Sequence, residues 1–143
     1  MTQSTILRVV SKVMIPLILL FGLYTQFHGD FGPGGGFQAG VILAAGFILY
    51  GLIFGLDRFL EVAPMRWVEV GVAAGVLLYA GTGLVSLAMG GEFLNYNLLD
   101  AHDPHHGQHR GIFWVELGVG ITVTSVMLAI FATFAQAARE VEP

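Results

Sequence analysis

Glu116 is the residue of this chain whose type and surroundings most invite chemistry. It lies in FWVELGVGITVTS, a run that is apolar apart from that carboxylate and three hydroxyl groups. An acidic side chain at the centre of a membrane helix costs about 2.5 to 3.5 kcal/mol on insertion scales. Gly120 and Thr124 follow at four and eight positions and share its helical face. A small, partly polar stripe headed by a carboxylate belongs against protein or water rather than lipid. Two readings stay open: a carboxylate hydrogen-bonded near the headgroups, or a proton or cation site, since desolvation moves carboxyl ionisation toward neutral pH.

A second acid has similar neighbours. RWVEVGV (Arg66 to Val72) resembles FWVELGV (Phe113 to Val119), and it places Glu69 two residues after Trp67. Interfacial Trp anchors and packing Gly explain much of that likeness, but not the shared Glu. The segment DAHDPHHGQHR gathers His102, His105, His106 and His109 beside Asp100 and Asp103, and His28 and Asp30 fall on the same side of the chain. Such a tract could bind zinc or sense pH. Pro104 and Gly107 argue against a helical array of ligands, so an exposed external loop is expected, with no metal site and His28 near an ion entrance.

The elements that must position these groups follow from composition. The 143 residues are 55% hydrophobic and only 11% charged, with mean hydropathy +0.76; soluble domains carry about a quarter charged residues. Crossing a hydrocarbon core takes about 20 helical residues, and four runs qualify: Ile6 to Phe27, Gly34 to Leu56, Trp67 to Met89 and Gly111 to Gln136. The expected fold is an all-α membrane protein of four transmembrane helices, a single domain over residues 1–143. Arg8, Lys12, Arg58, Arg66 and Arg139 lie on one side and only Arg110 on the other, so both termini are expected to be cytoplasmic. The first run has no small-x-small cleavage pattern after it and reads as an anchor rather than a signal peptide.

Several function classes fall away. Cysteine is absent, which removes disulfides and thiolate chemistry. The net charge of −4 is spread over both faces, and no nucleic-acid partner is expected. GPGGG lacks the Lys and Ser/Thr of a phosphate loop, and no nucleophile triad or metal-binding helix is present, so neither an enzyme nor a cofactor is expected. The pairs Gly36 and Gly40, Gly51 and Gly55, and Gly71 and Gly75 form small-residue faces that allow close helix approach. Their number suggests that some receive helices of other subunits.

GDFGPGGGFQAG, residues 29–40, carries six glycines and a proline in front of the second apolar run. Pro33 suits the start of a helix, where its missing N–H costs nothing, and the glycines after it allow a sharp, closely packed turn. The pattern His28, Pro33, Gly34, Gly35, Gly36, Phe37, Gln38 and Gly40 resembles the hallmark of the MnhB/MrpB family, one of the small membrane components of the multisubunit Mrp-type sodium/proton antiporter. Glu116 to Val119 is similar to the element that opens that family's last helix, and the resemblance covers nearly the whole chain.

The resemblance implies an accessory subunit of a complex exchanging Na+ for H+ in the cell membrane of a prokaryote, with the other antiporter subunits and the bilayer as partners. The main Lys and Glu relay is then expected in larger subunits, and no lysine follows Lys12 here. Glu116, Glu69, His28 and Thr124 are the candidates for an ion or proton path; Pro33 to Gln38 and Gly40 form a structural motif. Two rival readings are a homo-oligomeric channel with a ring of Glu116 and a membrane assembly factor that moves no ions.

Overall fold

A computed structural model describes residues 5–29, 32–100 and 104–141. Asp30, His102 and Asp103 lie outside the described residues. Four helices are long and apolar enough to cross a membrane: α1 (Thr5–His28), α2 (Gly36–Phe54), α4 (Met65–Ala88) and α5 (Pro104–Val141), with a two-turn helix α3 (Leu56–Val62) between α2 and α4. A 3-10 turn, Tyr96–Leu99, precedes α5.

The spans form an open row rather than a closed bundle. α1 packs on α2, α2 on α5 and α5 on α4, so the last helix of the chain sits inside the row. Position in the row sets burial: 11% of the α1 span is buried against 33% for α2. The second span ends at Phe54 rather than Leu56, because Gly55 takes φ 97° and breaks the helix. α3 then turns along the end of the row. Its Phe59 is fully buried among Ala44, Ala63, Val68, Leu128 and Ala132, edge-on to Phe131 with centroids 5.0 Å apart. Its other side is polar: Arg139 donates to Asp57 at 2.7 Å and Arg58 to Glu61 at 3.1 Å.

α5 corrects two expectations. It begins at Pro104, not Gly111, because proline at a first helical position gives up an N–H that would be unpaired there anyway. His105, His106 and His109 are therefore helical, exposed residues and not part of an irregular loop. The 38-residue helix spans about 57 Å at 1.5 Å per residue, about twice the length of α2. Its first turns extend beyond the start of α2, and there Gln108 donates to Asn97 at 2.7 Å and Gly107 and Gly111 pack on Tyr96. Burial first, and then the neighbouring Tyr79, push the Tyr96 phenol above its ordinary value.

Most of the paired glycines pack within the chain. Gly36 and Gly40 press on α5 at Glu116 and at Gly120 and Val123, while Gly71 and Gly75 press on α5 at Ser125 and Thr122. Gly51 meets Phe131 and Phe59. These faces are consumed inside the chain, which lets α5 approach two neighbours closely. Among the described residues, an added Cβ at Gly55 or Gly81 meets no atom within 4 Å beyond its own local backbone.

Candidate functional site

The site is built where the turn after α1, the start of α2 and α5 converge. Gly35 precedes α2 with φ 116°, a left-handed value that side chains resist. Its N–H donates to Thr25 O at 3.3 Å, tying the turn back to α1, and its carbonyl accepts from Ala39 N at 3.0 Å as the first bond of α2. The amides of Gly36, Phe37 and Gln38 therefore have no acceptor within their own helix, and Gly35 supplies no side-chain cap. Pro33 lies two residues before this cap, so it shapes the turn rather than occupying the first helical position.

Glu116 fills the end of α2 that glycine leaves open. A Cβ added to Gly29 would stand 2.7 Å from Glu116 Oε2, and one on Gly35 3.1 Å from Oε1. At Gly36 it would strike the Glu116 main-chain carbonyl. The carboxylate is half-buried at the amide end of α2, where the helix dipole favours negative charge. α5 meets the first residue of α2 at Glu116, so the carboxylate is level with the start of the α2 span.

Below it the stripe continues as expected. The Thr124 hydroxyl lies 2.8 Å from Gly120 O and 3.2 Å from Gly40 O, so it bridges α5 to α2. Thr25, Thr82 and Thr122 instead donate to carbonyls four residues back in their own helices. Beyond Thr124 and Ser125, the next turns bring Leu128 and Ala132, both buried beside Phe59. Polar side chains thus line one half of the seam and an apolar plug closes the other.

Gln26 joins this file and was not expected from sequence. It is 7% exposed, its Oε1 packs against Gly120, and its Nε2 is buried without a hydrogen-bond partner among the described residues. Gly29, which packs on the carboxylate of Glu116, stands one turn further along the same strip. A groove of about 310 Å³ lies beside it, lined by Leu23, Gln26, Phe27, Leu117, Gly120 and Thr124 among others. An amide within the apolar α1 was the available sequence signal.

The remaining candidates separate. His28 ends α1, half-buried and stacked on Tyr24 with centroids 5.1 Å apart; its Nε2 is 3.0 Å from the Cβ position of Gly32. It shares the glycine turn with Glu116. Glu69 does not reach the site: it is exposed on α4. The reason lies in its motif. Residues two apart on a helix point to nearly opposite faces, and Gly71 and Gly118, each two positions after its Glu, both pack at the α4–α5 seam. Glu116 therefore faces away from α4, toward α2, while Glu69 faces away from α5, the one long helix that packs on α4 among the described residues. Phe37 and Gln38 also point outward, exposed in the first turn of α2.

Comparison with known proteins adds the following. A family model described as "Domain related to MnhB subunit of Na+/H+ antiporter" matches residues 6–129. A Staphylococcus haemolyticus (strain JCSC1435) protein described as "Putative antiporter subunit mnhB2" is 34% identical over 130 residues, covering 90% of this chain and 92% of the relative. A Staphylococcus aureus (strain Newman) protein of the same description is 31% identical over 130 residues, with the same coverage.

Proposed function

The chain belongs to the MnhB family of Na+/H+ antiporter subunits, and from that membership we propose that it serves as an accessory membrane subunit of a multisubunit Na+/H+ antiporter. Its partners are the other subunits of that complex, and its place is the cell membrane of a bacterium. The bias of basic residues toward one side supports a cytoplasmic location for both ends of the chain and α3. Glu116 then stands near the external surface, where protons enter.

The observation that carries a role for Glu116 is its carboxylate set against Gly29 and Gly35 at the amide end of α2. Standing at the external end of a polar seam, with Gln26 and Thr124 the polar groups next along it, the carboxyl is placed to pass a proton inward. The apolar plug at Phe59, Leu128 and Ala132 supports a half-path: any continuation to the cytoplasmic side runs through neighbouring subunits. The same plug, and the use of the glycine faces within the chain, weigh against a channel made of this chain alone.

Purification of the native complex through a tag on this chain, followed by mass spectrometry, tests the assignment. Other antiporter subunits are expected in the preparation. Recovery of this chain alone as a defined oligomer would overturn it.

A further inference from the structure

We propose that the crevice between the first turns of α1 and the last turns of α2 binds the headgroup of an anionic phospholipid. The crevice, about 440 Å³, is lined by Arg8, Lys12, Ile15, Pro16, Tyr50 and Phe54. A second hollow lined by Thr5, Arg8, Val9, Lys12 and Phe54 adjoins it. Arg8 and Lys12 are one helical turn apart and so share a face. Among the described residues neither pairs with a carboxylate, whereas Arg58, Arg110 and Arg139 pair with Glu61, Asp100 and Asp57. Two cations on one turn at the edge of the apolar layer repel each other and call for an anion.

The surroundings specify what kind of anion. The Arg8 guanidinium sits 5.7 Å from the centre of the Phe54 ring, and a fork lying on an aromatic face keeps its N–H edges free for two phosphate oxygens. Lys12 reaches outward on a flexible stem as a second point charge. Pro16 lies within α1, and its ring adds apolar surface beside Lys12. Tyr50 contributes a phenol. Ile15, Pro16 and Phe54 make the rest of the lining apolar, and exposed Val13, Leu17 and Leu20 continue along α1 toward the middle of the layer. Charge above and apolar surface below fit an amphiphile with a phosphodiester head and acyl chains. Basic pockets between membrane helices attract such headgroups. An acidic side chain of another subunit would match the charge but leave the apolar part of the crevice empty.

The test is a lipid titration on the intact complex, purified through a tag on this chain and read by native mass spectrometry. Dioleoyl-phosphatidylglycerol is expected to bind and dioleoyl-phosphatidylcholine is not. Lys12→Gln should weaken phosphatidylglycerol binding about fivefold, and Arg8→Gln with Lys12→Gln about thirtyfold, from the contribution of each basic residue near a membrane surface. Lys12→Arg should retain most of the binding. If the double substitution prevents assembly, the single Lys12→Gln decides. Unchanged binding in the Gln variants overturns the proposal. Complete displacement of the lipid by inorganic phosphate overturns it in favour of a soluble anion. Loss of a neighbouring subunit with lipid binding intact assigns the cations to a protein contact, and overturns it equally.

Discussion

The Glu116 carboxylate lies directly over Gly35: a Cβ at Gly35 would stand 3.1 Å from Glu116 Oε1. At the next residue the relationship passes to the main chain, where a Cβ on Gly36 would collide with the Glu116 carbonyl. The glycine run and the acid, about eighty residues apart in sequence, are therefore two halves of one contact. Glycine is required at Gly35 by its φ of 116° and at Gly36 by the approach of α5.

Gly36→Ala is accordingly expected to lower the yield of assembled complex. The obstruction is backbone, which cannot swing aside as a side chain would, and overpacking of this kind costs about 1 to 3 kcal/mol. Gly81→Ala is the control: nothing lies within 4 Å of the added methyl, and alanine is favoured over glycine inside a helix by about 0.5 to 1 kcal/mol. Co-purification with thermal inactivation of the complex measures both. Normal stability of Gly36→Ala would show that α2 and α5 sit further apart than this contact requires.

The four spans were legible because hydropathy over about 20 residues reports on the bilayer and needs no tertiary information. Other features depend on which face of a helix meets which neighbour. Gly71 and Gly75 looked like a surface for another subunit until α5 was placed on them. α3 was hidden because LDRFLEV holds too few residues for a periodic signal, and only the burial of Phe59 reveals its purpose. Pro104 and Gly107 read as signs of a loop, although a proline is equally at home at the first position of a helix. Glu116 was legible as an acid in an apolar helix; that it stands level with the start of α2, against the glycine turn, required the register of α5 against α2.

Glu116→Gln keeps the size and hydrogen-bonding shape of the side chain while removing its charge. If the carboxyl carries protons, Na+/H+ exchange in everted vesicles should fall at least tenfold while the assembled complex is recovered in normal amount; tenfold corresponds to about 1.4 kcal/mol on the barrier. Glu116→Leu should also damage assembly, since it leaves the amide end of α2 facing an apolar group. Normal exchange by the Gln variant alongside collapse of the Leu variant would make the residue purely structural.

Thr124→Val tests the bridge between α5 and α2. The substitution preserves shape and removes the hydroxyl that reaches Gly40 O at 3.2 Å. Hydrogen bonds between membrane helices average about 0.6 kcal/mol, so only a slight fall in thermal stability is expected. Transport is the more informative reading. A large loss of exchange with stability unchanged would place the hydroxyl in the path, whereas parallel small losses would leave it a packing contact.

Gln26 gives the sharpest separation of path from scaffold, because the two roles predict the same stability but different exchange. A buried polar group without a partner costs about 1 to 3 kcal/mol, and replacing it by an apolar group of similar size is neutral or stabilising. Nε2 of Gln26 is such a group. For a residue that only fills space, Gln26→Leu should therefore leave the complex as stable as before or more so, with exchange intact. If the amide instead relays or orients along the seam from Glu116, Gln26→Leu should retain or gain stability and lose exchange, and Gln26→Asn should recover part of it. The third outcome, a destabilised Gln26→Leu complex, would mean that the amide finds a partner in the assembled antiporter and acts as a structural donor there. Thermal inactivation and vesicle exchange, measured on the same preparations, distinguish the three.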